Sequence, residues 1–328
     1  MIRVVEFRKL IKFGDSSFVV SLPKDWITKH NLVKGDTIYV DENENGLVLK
    51  PKEIKTRKEP KSMVIDADNK SLEAVQTEIV SSYLTNTDTI EVKGSSLREN
   101  APQVKQYLHN LAGLEIIEQT KDKIVAKDLL NINEISIDSM VRRMDNIIRS
   151  MLDDSIASAE EDHFDSINQR DNDVNRLSFL THRVIRLALR DHGVAKTLEV
   201  NHLSLLVDWQ IVTYLEKIGD QSKRIARAMR EARAKKKSFS KSTCRELKQI
   251  YKNLQQVYLK VMKSYYTKDK KLAYQIETES QQRISLCDSF EKRCRDPCLV
   301  QVIYNLKGMS TSIKNIARDV ISIENEQG

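Results

Sequence analysis

A helical hydrophobic period runs through residues 135–323 and constrains the fold of this chain more than any other feature. Glycine and proline number only nine and five in 328 residues, a composition that favours long helices. The period predicts six helices with short connections, which suggests two three-helix bundles at 135–234 and 240–324. The predicted helices are Ile135–Glu160, His163–Leu189, Leu203–Arg233, Lys241–Tyr266, Lys270–Cys294 and Leu299–Ile323.

The two predicted bundles resemble each other in sequence. The segment Lys223–Arg227 recurs 91 residues later as Lys314–Arg318, at the same place in the third helix of each bundle. The apolar face of that helix is preserved in both copies, whereas the polar face is not. We therefore expect two copies of one helical unit whose polar surfaces have diverged.

Two pairs of oxygen-bearing side chains lie one helical turn apart in the first bundle. Asp171 and Asn175 form one pair on its second helix, and Glu216 and Asp220 form the other on its third. If these helices face each other, the four side chains could ligate one hard or borderline cation. An ordinary solvated acidic surface explains the same spacing.

The first 52 residues predict a compact β unit with one short helix, Pro23–His30. Asn45-Gly46 is a strong signal for a two-residue hairpin turn. Such a short segment buries too little apolar surface to be stable alone, so it should dimerise or pack on its neighbours. The predicted strands are Val5–Phe13, Phe18–Leu22, Thr37–Val40 and Leu47–Lys50.

Between these parts lie a polar, basic linker at 51–61 and a small module at 62–130. The module predicts the order βαβαββ, a small α/β sandwich that serves as a spacer or for dimerisation. Its elements are Ser62–Ile65, Leu72–Leu84, Thr89–Val92, Ala101–Leu111, Leu114–Glu118 and Lys123–Ala126. The fold class is thus mainly α and multidomain, with β structure confined to the first 130 residues.

Charge and composition narrow the function classes. The net charge of +7 and the isoelectric point near 9 permit an anionic partner. No run of about 18 apolar residues and no signal-peptide core occurs, so we expect a cytoplasmic protein without membrane insertion. No phosphate loop or nucleophile–base motif is evident, and we expect no enzymatic activity.

The segment Lys223–Lys241 is the most densely basic part of the chain, with nine lysines and arginines against one acid, Glu231. Such a segment could contact DNA, an anionic membrane surface or an acidic protein partner. A solvated helix C-terminus, where cations interact favourably with the helix dipole, explains the basic segment equally well.

The helical half resembles the PhoU family of phosphate-uptake regulators. The segment Leu215–Asp220, followed by Ile225-Ala226, is similar to that family's L-E-R-I-G-D…I-A signature. The segment Gln169–Asn175 resembles its E/D-x-x-x-D signature. The resemblance implies two similar three-helix bundles that bind metals through acidic clusters.

Residue by residue, the resemblance implies a divalent or iron-type metal at Asp171, Glu216 and Asp220. Asn175 stands where the family usually has aspartate, which removes one negative charge. In the second bundle Lys307 and Thr311 replace the expected carboxylates, and the corresponding cluster is expected to be lost.

The first 50 residues resemble the AbrB/SpoVT DNA-binding domain through Arg8–Gly14, Phe18–Trp26 and Lys34–Asp36. That resemblance implies an intertwined, swapped-hairpin homodimer. It also implies that double-stranded DNA is bound by basic residues on the first strand and near the helix start. The residues that match are Arg8, Lys9, Lys12 and Lys24.

An AbrB-like head on a PhoU-like body resembles an archaeal arrangement. Together the two resemblances predict a homodimeric transcriptional regulator of phosphate uptake that binds DNA. The alternative is a PhoU-like adaptor that controls a phosphate transporter or signalling protein by direct contact. In that case the head serves only for dimerisation.

Overall fold

In this computed structural model, the structure describes residues 7–43, 46–51, 60–158, 160–237, 239–294 and 296–323. The start of the first predicted strand, Asn45 of the predicted turn and most of the predicted linker lie outside these residues. The chain divides into two compact units, Met1–Pro60 and Lys61–Gly328. Within the described residues, no helix is long and apolar enough to cross a membrane.

The N-terminal unit consists of two antiparallel hairpins and one short helix. Gly14 closes the first hairpin at a φ of +69°, in the left-handed region that glycine adopts without strain. Pro23, the first residue of the predicted helix, is instead the N-cap residue that precedes it. The elements are β1 (Ile11–Phe13), β2 (Ser17–Val19), α1 (Lys24–Lys29), β3 (Tyr39–Asn43) and β4 (Gly46–Lys50).

The described residues of the N-terminal unit do not form a core of their own. Of its side chains that the structure describes, none is buried. Phe7 is 93% exposed, Phe13 70% and Leu47 65%. Among the described residues of this unit, twelve large apolar side chains are exposed, and a surface of this kind is expected at a protein–protein interface.

The second unit begins with the predicted βαβαββ module, which the structure confirms. Its sheet has the order β5-β6-β8-β7, in which only β5 and β6 are parallel. Alternate strand residues such as Ile65, Ile90 and Ile124 are buried with apolar side chains of both helices in one core. The elements are β5 (Ser62–Asp66), α2 (Leu72–Leu84), β6 (Thr89–Lys93), α3 (Leu97–His109), β7 (Leu114–Gln119) and β8 (Lys123–Asp128).

The rest of the second unit is helical and shares one continuous core. One bundle contains α4, α5 and α7, the other contains α8 to α11, and α7 packs along α11. The helices are α4 (Ile137–Ala157), α5 (Phe164–Arg190), α6 (His192–Thr197), α7 (His202–Ala234), α8 (Lys241–Thr267), α9 (Lys270–Thr278), α10 (Ser280–Arg293) and α11 (Pro297–Ser322).

Two details of the helical prediction were wrong. The predicted helix Lys270–Cys294 is broken at Glu279 into α9 and α10, and Arg283 donates a hydrogen bond of 2.6 Å to the Ile276 carbonyl near the break. The short helix α6 was not predicted. It begins where the Asp191 side chain accepts a hydrogen bond from the backbone of Gly193.

A buried arginine fixes the sheet module on the helical body. Arg183 of α5 donates to Asn86 Oδ1 at 3.0 Å and pairs with Asp128 at the end of β8. Its guanidinium carbon lies 4.5 Å from the centre of the Tyr83 ring. Only 2% of this arginine is exposed, so its charge depends on these partners.

A second buried charge joins the two bundles. Asp145 of α4 is 2% exposed and accepts hydrogen bonds from Tyr258 at 2.7 Å and Tyr266 at 3.0 Å, both on α8. Arg149 completes the network with two hydrogen bonds to the same carboxylate, at 3.0 and 2.7 Å. The carboxylate is thereby satisfied by both bundles at once.

The carboxyl group of Asp319 on α11 lies near α7, and one of its two oxygens accepts no hydrogen bond. Asp319 Oδ2 is buried and has no hydrogen-bond partner. Burial raises the pKa of Asp319 from 3.8 to about 6. The charge of Asp319 also acts on Tyr214 of α7, whose pKa is raised chiefly by its own burial.

We expect the Arg183→Met variant to lose about 3 kcal/mol of unfolding free energy, because Asp128 then keeps a charge without its cation. Urea denaturation followed by circular dichroism measures this loss. The control Arg190→Met, at an exposed position on the same helix, should lose about 0.5 kcal/mol or less. Equal losses in the two variants would contradict the anchoring role of Arg183.

The pKa of Asp319 predicts a pH dependence of stability. In the folded state the carboxyl is protonated up to a higher pH than in the unfolded state. The free energy of unfolding should therefore fall as pH rises from about 4 to about 6 and stay lower above that range. Because the side chain is only partly buried, we expect Asp319→Asn to recover only about 1 kcal/mol at pH 7.5. No recovery in urea denaturation would refute this assignment.

Candidate functional site

The four predicted DNA-binding residues lie in two parts of the N-terminal unit. Arg8 and Lys9 lead into β1, Lys12 lies within it, and Lys24 is the first residue of α1. All four side chains are exposed. Because strand residues alternate between faces, Lys12 lies on the side of β1 opposite to its neighbours Ile11 and Phe13.

The four predicted metal ligands lie on α5 and α7, and a lysine lies among them. Lys223 Nζ is 2.5 Å from Asp171 Oδ2 and 3.1 Å from Asp220 Oδ1. Asn175 donates from its side-chain nitrogen to the same Asp171 oxygen at 3.3 Å. The α5–α7 cluster, as we call Asp171, Asn175, Glu216, Asp220 and Lys223, is thus built around an ammonium group.

Asp171 is only 3% exposed and therefore does not lie on a solvated acidic surface. The helix α7 covers it, because α5 and α7 pack along each other. A carboxylate at this depth needs a cation or several donors to stay ionised. Lys223 and Asn175 provide both.

Glu216 is the fourth oxygen-bearing side chain of the cluster. Burial raises its pKa above the usual 4.5, and the nearby charges of Asp220 and Asp171 raise it further. Asp220 is also paired with Arg224, at 2.6 Å. The two aspartates of the cluster are therefore already neutralised by side chains of α7, whereas Glu216 faces mainly other acids.

This arrangement does not fit a metal ion as it stands. An ion would have to share Asp171 and Asp220 with the Lys223 ammonium, and Asn175 turns a donor towards Asp171. Among the described residues, no three histidine, cysteine, aspartate or glutamate side chains are grouped to hold a metal. Metal binding by the four predicted ligands stays a prediction.

The second bundle contains a longer version of the same lysine–carboxylate contact. Lys314, the repeat counterpart of Lys223, lies 3.9 Å from Glu277 of α9. Arg318 pairs with the same carboxylate at 2.9 Å. Lys307, which replaces Glu216 in the repeat, is 2.6 Å from Asp288 of α10.

Lys223 was not predicted to be part of the metal site, although its recurrence as Lys314 was visible in the repeat.

Much of the basic segment Lys223–Lys241 is paired within the protein. Arg230 binds both Asp162 and Asp165 at 2.7 Å, and Lys237 binds Asp296 at 2.7 Å. Arg233 donates to the Ser158 carbonyl at 3.1 Å. These internal contacts reduce the charge that the segment offers to an anionic partner.

Comparison with known proteins assigns a class to each unit. Residues 141–229 match the family model of the PhoU domain. Residues 11–57 match the model described as "Antidote-toxin recognition MazE, bacterial antitoxin". The second unit is thus PhoU-like over its first bundle, and the N-terminal unit has a MazE/AbrB-like domain, which confirms both predicted resemblances.

A solved structure is also similar to this chain: the crystal structure of PhoU from Pseudomonas aeruginosa. The two share 16% sequence identity and a TM-score of 0.48, over 56% of this chain and 93% of the other. No curated protein matches the chain.

Proposed function

We propose that this protein is a homodimeric, DNA-binding regulator of phosphate uptake that acts in the cytoplasm. The N-terminal unit forms the dimer and contacts DNA, and the PhoU-like second unit receives the regulatory input. The main observation behind the proposal is that the N-terminal unit is basic and that none of its described side chains is buried. The matches to the PhoU domain and to the MazE antitoxin model support it.

Dimerisation follows from the exposed apolar surface of the N-terminal unit. Phe7, Phe13 and Leu47 are each at least 65% exposed, and the unit's two hairpins form separate two-stranded sheets. Two-stranded hairpins are marginal in water, and their edges can pair with another chain. A second copy of the same unit offers the same apolar side chains and edges, so we propose a homodimer.

The charge of the N-terminal unit favours DNA as its ligand. Residues 1–58 contain twelve lysines and arginines against eight acids, a net charge of +4. A dimer doubles this charge to about +8, which attracts phosphates in a salt-dependent manner. The basic segment of the second unit is instead partly neutralised by its own aspartates. We therefore assign DNA binding to Arg8, Lys9, Lys12 and Lys24.

The second unit is proposed as the regulatory part. Its first bundle matches the PhoU domain, and we propose that it responds to phosphate supply through a protein partner such as a phosphate transporter or signalling protein. Enzymatic activity forms no part of the proposal. Coupling to DNA binding requires two states of the second unit that the N-terminal unit distinguishes.

We expect the triple variant Arg8→Glu, Lys9→Glu, Lys12→Glu to bind the protein's own upstream duplex DNA about 100-fold more weakly in about 0.1 M salt. Each reversal removes a phosphate contact and adds a repulsive charge, so the salt dependence should also become shallower. Fluorescence anisotropy with full-length protein across a salt series measures both.

The matched control is Lys235→Glu, Lys236→Glu, Lys241→Glu, which makes the same charge change at exposed positions of the second unit. Its affinity should stay within about threefold of the unmodified protein. Equal weakening by both triple variants would contradict DNA binding by the N-terminal unit, as would unchanged affinity in the first. The adaptor function would then be favoured.

A further inference from the structure

We propose that Lys223 is the resident cation of the α5–α7 cluster and takes the position that a metal ion would need. On this proposal the first bundle binds no metal, and its packing does not depend on one. The inference concerns the second unit alone and stands whether or not the N-terminal unit binds DNA.

The geometry places the ammonium group in the position of a bound ion. Lys223 Nζ is 2.5 Å from one oxygen of Asp171 and 3.1 Å from one oxygen of Asp220. Metal ions lie about 2.0–2.6 Å from carboxylate oxygens. A metal ion that used both carboxylates would occupy nearly the same volume as the ammonium, so the two cations exclude each other.

Burial strengthens this exclusion. The side chain of Lys223 is 17% exposed and that of Asp171 only 4%. Two cations a few ångströms apart in such surroundings repel each other strongly. The ammonium group of Lys223 is paired with both aspartates at this depth, which offsets its loss of hydration.

The internal repeat shows that the lysine contact belongs to the helical unit. Lys314 holds the corresponding place in the second bundle and approaches Glu277, a carboxylate on a preceding helix. There the position of Asp220 is taken by Thr311, so the second lysine lacks that acidic partner. Lysine and carboxylate thus occur together in both bundles, and only in the first does the lysine contact two aspartates.

This leads to a gain-of-function test with Mn²⁺ as the probe. The unmodified full-length protein should retain no Mn²⁺ after dialysis and show no heat of binding on titration. The Lys223→Met variant, which leaves Asp171, Glu216 and Asp220 in place, should bind about one Mn²⁺ per chain. Its thermal midpoint should be lowered without metal and raised again by about 1 mM Mn²⁺.

Two further variants make the test specific. Lys314→Met, the repeat-matched control, should remain free of Mn²⁺. Adding Asp220→Asn to Lys223→Met should abolish the acquired binding. If circular dichroism shows that Lys223→Met does not fold, Lys223→Gln takes its place.

Two results would overturn the proposal. One is Mn²⁺ bound by the unmodified protein and lost in Asp171→Asn, since the ammonium would then coexist with the metal. The other is a folded Lys223 variant that binds no Mn²⁺, since the carboxylates would then not be competent ligands.

Discussion

Exposed apolar surface in the N-terminal unit is the constraint on which our functional account depends. Residues 7–43 and 46–51 form two hairpins and a short helix, yet bury none of the side chains that the structure describes. A unit of this size gains too little from burial to offset the entropy lost on folding. Its fold therefore needs a partner surface. In the homodimer that we propose, a second copy provides this surface and doubles the unit's positive charge.

The second unit instead has a buried charge at three of its interfaces. Arg183 joins the sheet module to α5, Asp145 joins the two bundles, and Asp171, paired with Lys223, joins α5 to α7. Buried ion pairs add little net stability but make misaligned packing costly, because a displaced charge loses its partner. We infer that these three residues orient the parts of the unit, since removing any one of them leaves its partner with an uncompensated charge.

Much of this architecture could be predicted from the sequence because it depends on hydrophobic periodicity. The long helices and the βαβαββ order both follow from alternation that is local in the chain. The break at Glu279 could not be predicted in this way, since no glycine or proline marks it. The role of Lys223 also escaped prediction. Its spacing from Glu216 and Asp220 puts Lys223 on the same face of α7 as these acids, but only packing against α5 shows that it contacts Asp171.

Sedimentation equilibrium of the full-length protein tests the central claim most directly, since the account depends on a second copy completing the N-terminal unit. The account predicts a mass twice the 37.8 kDa of one chain at micromolar concentration. Replacing Phe7 and Phe13 by serine should then shift the protein towards monomer, because both side chains are highly exposed in the single chain. A monomer with an intact, folded N-terminal unit would contradict the account.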